Sequence, residues 1–229
     1  MMRKYLAEMI GTFAIVFCGT GAIIVNQESG GVITHAGIAV TFGLIVAAMI
    51  YTLGEISGAH FNPAVTFGFW LARLFPAKEI VPYVFSQITG AFLASFILQL
   101  LFPANQLLGT TLPSGSGWQA GIMEIILTFF LMLTILHVAK GSNEQGMFAG
   151  LAIGSVVLLE AMFAGPVSGA SMNPARSVGP AFVSGHTHYL WVYVLAPIVG
   201  SVIAVFTWRI LKENSFHEKS PDGVSGLKK

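Results

Sequence analysis

The chain has 229 residues, of which 55% are hydrophobic and only 9% charged, with a formal net charge of +1; soluble domains carry about a quarter charged residues. That composition describes an integral membrane protein, and a charge so close to zero offers no basic surface for nucleic acid. The one cysteine, Cys18, lies in the first apolar run, so neither an internal disulfide nor a cysteine metal centre can form, and Cys18 reads as a small packing residue.

The start, Met1-Met2-Arg3-Lys4 ahead of an apolar run with small residues at 19–22, imitates a secretory signal. Glu8 inside that run, and its echo in the second half, argue for a retained first helix. Apolar windows at 5–25, 35–53, 80–102, 118–138, 147–164 and 189–211 predict six spanning helices. The short alternating segments of a membrane barrel are missing, so the expected fold is an all-α integral membrane protein. Gly90 four residues before Ala94, and Gly200 four before Ala204, suit close helix contact in lipid. Residues 1–211 read as one domain, and 212–229, polar from Asn214 onward, as a disordered cytoplasmic tail.

Basic residues set the orientation. Arg3, Lys4, Arg73, Lys78, Lys140, Arg209, Lys212, Lys219, Lys228 and Lys229 all fall on one face, so both termini are expected in the cytoplasm. The opposite loops, 26–34, 103–117 and 165–188, hold one basic residue, Arg176.

Two stretches organise the chain. Ser168-Gly169-Ala170-Ser171-Met172-Asn173-Pro174-Ala175-Arg176 has a near copy 111 residues earlier, Ser57-Gly58-Ala59-His60-Phe61-Asn62-Pro63-Ala64-Val65, identical at six of nine positions. Asn followed by Pro is a helix start. The apolar runs that follow, 64–72 and 175–183, are too short to span: about ten residues at 1.5 Å rise cover roughly half of a 30 Å hydrocarbon core. Glu8 stands four before Thr12, and Glu124 four before Thr128, so the repeat covers both halves, about 5–102 and 118–211. Three spans per unit invert the second, and the two half-helices then dip from opposite sides to bring Asn62 and Asn173 together near the midplane.

Interrupted helices at matching positions of inverted repeats point to a permeation or binding site, because non-helical backbone at that depth must line a polar cavity or be buried in protein. Carbonyls of Gly58, Ala59, His60, Gly169 and Ser171 are expected to form an acceptor ladder, with the Asn62 and Asn173 amides donating where the ladders meet. Two positive helix ends face the same spot and repel cations. The activity this implies is passive conduction of small uncharged molecules. An enzyme is excluded by the absence of a nucleophile with its base, a metal cluster or a phosphate loop, and nothing calls for a cofactor or a metal. A coupled transporter would place titratable groups at the crossing, which here carries only amides.

The paired Asn-Pro-Ala boxes (Asn62, Pro63, Ala64; Asn173, Pro174, Ala175), the Ser-Gly-Ala lead-ins, the paired Glu residues and Arg176 resemble the aquaporin and aquaglyceroporin family over about residues 1–211. The resemblance implies a homotetramer in membrane lipid with one pore per protomer, passing water and small neutral solutes. It also implies a four-residue filter at the outer mouth: Phe42, Ala161, Ala170 and Arg176. Alanine at the position where water-selective members hold His implies a wider opening, suited to glycerol-sized polyols, urea or neutral hydroxides such as arsenous acid. The run 164–177 is similar to the nodulin-26-like branch and its bacterial relatives, and the lack of plant-type extensions suggests a bacterial inner membrane. Phe42 is closer to the water-channel pattern, which leaves a water-selective channel as the alternative; an adhesion or scaffold protein with a closed pore is the remoter one.

Glu8 and Glu124 are expected to bind backbone amides of the two loops rather than to move protons. Glu160, beside the filter position, is read either as a carboxylate hydrogen-bonded behind the filter or as an acceptor that orients Arg176 or a hydroxylated solute. His60 is expected to line the inner half of the pore through its carbonyl, with a structural side chain as the other reading and a pH gate as a third. His35, His137, His186 and His188 read as interfacial or solvated.

Overall fold

The computed structural model describes residues 2–141 and 146–217. Eight α-helices form there: α1 (Met2–Glu28), α2 (Thr34–Ser57), α3 (Pro63–Leu71), α4 (Ile80–Leu101), α5 (Gly117–Lys140), α6 (Ala149–Ser168), α7 (Pro174–Ser184) and α8 (Leu190–His217), with a 3-10 turn at Ala77–Glu79 before α4. Six of the eight are long and apolar enough to cross a membrane. The remaining two, α3 and α7, have 9 and 11 residues and follow the two Asn-Pro boxes. Among the described residues there is no strand. The protein is thus an all-helical membrane protein of six spans and two half-helices.

The packing is organised in matching pairs. Helix α1 packs on α4 and α2, α5 on α8 and α6, α2 on α6, and the half-helices α3 and α7 lie against both α4 and α8. Gly90 and Gly200 mark equivalent crossings: a Cβ on Gly90 would strike the Met9 carbonyl oxygen and the Phe13 nitrogen, and one on Gly200 the Ile125 carbonyl oxygen and the Phe129 nitrogen. In lipid, where no hydrophobic difference drives helices together, such backbone approach supplies the packing energy.

The last helix runs to His217, so 212–217, expected to open the tail, continue α8 instead; an apolar span ending in polar residues carries on for some turns because its backbone hydrogen bonds need no partner outside the helix. The remainder of the expected tail, 218–229, with Lys219, Lys228 and Lys229, lies outside the described residues.

Replacing Gly90 or Gly200 by Ala forces the helices apart. Each substitution is expected to cost about 1–3 kcal/mol, measured as a lower midpoint of thermal unfolding in detergent; unchanged midpoints would show that these crossings are not tight.

Candidate functional site

Each half-helix starts the same way. Asn62 is extended (φ −154°) and its Oδ1 accepts from the Ala64 amide at 2.9 Å. Asn173 (φ −146°) accepts from Ala175 at 3.0 Å and from Arg176 at 3.3 Å. Capping uses the oxygen and leaves the amide nitrogen free to turn elsewhere. Asn62 Nδ2 donates to the Met172 carbonyl at 2.8 Å, and Asn173 Nδ2 to the Phe61 carbonyl at 2.9 Å. Each loop is therefore stitched to the other, and one N–H of each amide is left over beside a cavity that both Asn residues line.

The loops leading to these caps run through left-handed backbone. Gly58 and Gly169 have φ of 86° and 85°, and Ala59, Phe61, Ala170 and Met172 follow with φ of 51°, 49°, 41° and 54°. Non-glycine residues hold such angles only where the surroundings over-determine them, and the two buried glutamates do so. Glu8 accepts from Ser57 Oγ (2.7 Å), the His60 amide (3.0 Å), the Phe61 amide (2.7 Å) and Gln87 Nε2 (2.7 Å). Glu124 accepts from Ser168 Oγ (2.8 Å), the Ser171 amide (2.8 Å) and the Met172 amide (2.7 Å). Both are fully buried. Tyr83 and Tyr193 then hold the carbonyls of Ser57 and Ser168, each at 2.7 Å. Gln87, Tyr83 and Tyr193 escaped the sequence reading, although each is a polar group inside an apolar span, which is a signal in itself.

A cavity of about 150 Å³ runs past the meeting point of the loops. Gly58, Ala59, His60, Ala170 and Ser171 line it together with Phe42 and Arg176, as do the apolar Val46, Ile50, Leu131, Ile135, Ile153 and Val157. Residues of both loops thus share one cavity with a set of apolar side chains. A Cβ on Gly169 would meet Thr111. From α6, Ile153 and Val157 line the cavity, and Ala161, one turn beyond Val157, is 8% exposed.

Arg176 is 2% exposed. Its Nη1 donates to the Gly109 carbonyl at 2.8 Å, its guanidinium carbon stands 5.1 Å from the centre of the Phe42 ring, and its Nε has no partner. Gly109 belongs to the connection between α4 and α5 and has no sequence signal pointing to it. Glu160, 5% exposed, has a buried Oε2 with no hydrogen-bond partner, and no salt bridge joins it to Arg176 among the described residues. Neither a bonded carboxylate behind the filter nor a partner for Arg176 is what this residue forms.

The His60 ring is structural in its contacts. It stacks on Phe69 with centroids 4.6 Å apart, and its Nδ1 lies 3.1 Å from Thr66 Oγ1. That hydroxyl donates to the Asn62 carbonyl, so Nδ1 must carry the proton toward Thr66. His35, expected at the interface, bonds the Met162 carbonyl through Nε2 at 2.6 Å. His137 and His186 bond the Leu133 carbonyl and Ser184 Oγ. No group of three or more His, Cys, Asp or Glu able to hold a metal occurs among the described residues.

Six spans and two half-helices whose Asn caps meet beside one cavity define a membrane channel of the two-box type. Residues 1–208 match the family described as Major intrinsic protein, and the chain belongs to that family. It is 46% identical to Nodulin-26 of Glycine max over 213 residues, covering 92% of this chain and 78% of that one. It is 48% identical to the probable aquaporin NIP4-2 of Arabidopsis thaliana, covering 93% and 75%. Its fold matches the aquaglyceroporin from Plasmodium falciparum with a TM-score of 0.82 at 30% identity, over 94% of this chain and 99% of that one. The protein is a channel for water and small neutral solutes, not an enzyme.

Glu8→Gln and Glu124→Gln each turn an amide N–H toward backbone donors. A loss of about 1.5–3 kcal/mol per charged hydrogen bond is expected, appearing as a low yield of folded protein in the membrane. A variant that folds normally yet changes solute preference would contradict the anchoring role.

Proposed function

We propose that the cavity is the pore, and that it passes glycerol-sized polyols and neutral hydroxides such as arsenous acid as well as water, while excluding ions and protons. The observation that carries this reading is the reciprocal Asn62–Met172 and Asn173–Phe61 bonding. It holds two donors and two half-helix N-termini at one point of a cavity that is otherwise lined by loop residues and apolar side chains. A hydroxylated solute can exchange its water for these groups, whereas a cation meets two positive helix ends. Those apolar side chains suit the carbon side of a polyol.

Phe42, Ala170 and Arg176 share the wall at one end and act as the filter in this reading. Ala161 contributes by its small size. The Phe42 ring close to Arg176 favours a second reading, a water-selective channel whose mouth the ring narrows.

Both termini lie in the cytoplasm in this reading. The Lys4–Glu79 salt bridge (2.8 Å) and the Arg209 bond to the Leu71 carbonyl gather basic groups at the face remote from Arg176, which supports it. Homotetrameric assembly belongs to the same reading: large apolar side chains such as Leu44, Phe96, Phe130 and Phe163 stand exposed on the outer surface, suited to lipid or to further copies. The expected bacterial inner membrane gains no support from the relatives named above that are plant proteins.

Stopped-flow light scattering on proteoliposomes tests the proposal with water, glycerol and arsenous acid. The wild type is expected to pass all three, and Ala161→His to reduce glycerol flux about tenfold or more, the weight of roughly 1.4 kcal/mol, while water flux persists. Wild-type vesicles that pass water alone favour the second reading, and vesicles that pass nothing favour a closed scaffold.

A further inference from the structure

Helices α2 and α6 carry the Phe42 and Ala161 positions, and they meet most closely at Gly43 and Gly154, where a Cβ on either would strike the other helix's backbone. Away from that crossing, two side chains tie them. At the inner end the Tyr51 hydroxyl donates to the Met147 carbonyl (3.2 Å) and accepts from the Leu151 amide (3.1 Å). At the end that carries Arg176, His35 Nε2 lies 2.6 Å from the Met162 carbonyl oxygen. A carbonyl only accepts, so the imidazole is the donor there.

That carbonyl needs an outside donor. In α6 its helical partner would be the amide of residue 166, which is Pro166, and proline has no N–H. The matching residue of the first repeat is Glu55, so the missing donor belongs to the second half alone. His35 is also placed firmly. The Thr34 amide donates to Asn26 Oδ1 at 2.8 Å, and the Gly37 amide to Thr34 Oγ1 at 3.2 Å, which fixes the first turn of α2. The ring lies over Gly165, where a Cβ would come within 2.9 Å of its Cε1. Phe42 follows His35 by seven residues, two turns along the same face of α2, and Ala161 immediately precedes Met162.

We infer that His35 is a positioning residue for the outer constriction: by donating to the carbonyl that Pro166 leaves unpaired, it sets the spacing between the Phe42 and Ala161 helices and hence the size limit for solutes. The inference rests on the filter reading above, and it concerns how wide that filter is held.

The test is a mutant cycle in proteoliposomes, with water flux confirming a folded pore and the erythritol-to-glycerol permeability ratio reporting the size limit. His35→Phe keeps the ring over Gly165 and removes the donor. The ratio is expected to rise roughly threefold to tenfold, the weight of one hydrogen bond. Pro166→Ala restores an amide to the Met162 carbonyl, so H35F/P166A is expected to return to the P166A ratio. His35→Gln, which still carries an N–H donor, is expected to stay near wild type. An unchanged ratio in H35F, or a raised ratio that P166A does not reverse, would overturn the inference while leaving polyol conduction intact. If H35F does not fold, recovery of its folding by P166A supports the pairing and failure in both backgrounds overturns it. Wild-type vesicles that pass water and neither polyol would instead sink the filter reading, and this inference with it.

Discussion

A backbone N–H that leaves a helix inside a bilayer has no water to bind, and each such group left unpaired costs several kcal/mol. This protein breaks two helices in the hydrocarbon layer and meets that constraint with two buried carboxylates. Glu8 and Glu124 gather the amides of the His60–Phe61 and Ser171–Met172 turns. In doing so they hold the left-handed residues that L side chains otherwise avoid. The rest of the site builds on this: the pinned loops lead into the half-helix starts at Asn62 and Asn173, and each asparagine binds across to the opposite loop.

The two halves share this frame and differ where the chemistry is. Gln87 gives Glu8 a fourth donor, whereas the corresponding place in α8, counted from Tyr83 and Tyr193, holds Pro197. His60 and Thr66 occupy the places that Ser171 and Ser177 take in the second loop, and those two hydroxyls stand 2.6 Å apart. Arg176 has only Val65 as its counterpart. A buried guanidinium needs fixed acceptors, and the connection between the two halves supplies one from the Gly109 carbonyl. Symmetry built the pore, and departures from it shaped one mouth.

The half-helix starts, the six spans and the anchoring glutamates were legible because their signals are local or repeated: Asn-Pro before a short apolar run, a carboxylate inside a span, and the same spacing twice. Gapless counting brought Phe42, Ala170 and Arg176 to one cavity, which Ile153 and Val157 of α6 also line. Val157 and Ala161 stand one turn apart on the same face of α6, so how near each comes to the cavity depends on how α2 and α5 pack along that helix. Glu160 illustrates the same limit: a carboxylate beside the filter in sequence forms no bond to it in space.

The sequence by itself determined that this chain lies in a membrane, that it repeats upside down, and that two amides meet at its centre, because length, hydropathy and cap chemistry act along the chain. Only the tertiary structure decided which acceptor holds Arg176, which side chains bound the cavity, and that His35 answers the carbonyl orphaned by Pro166. Those contacts join residues 67 and 127 positions apart, and they exist only once the helices have taken their crossing angles and rotations.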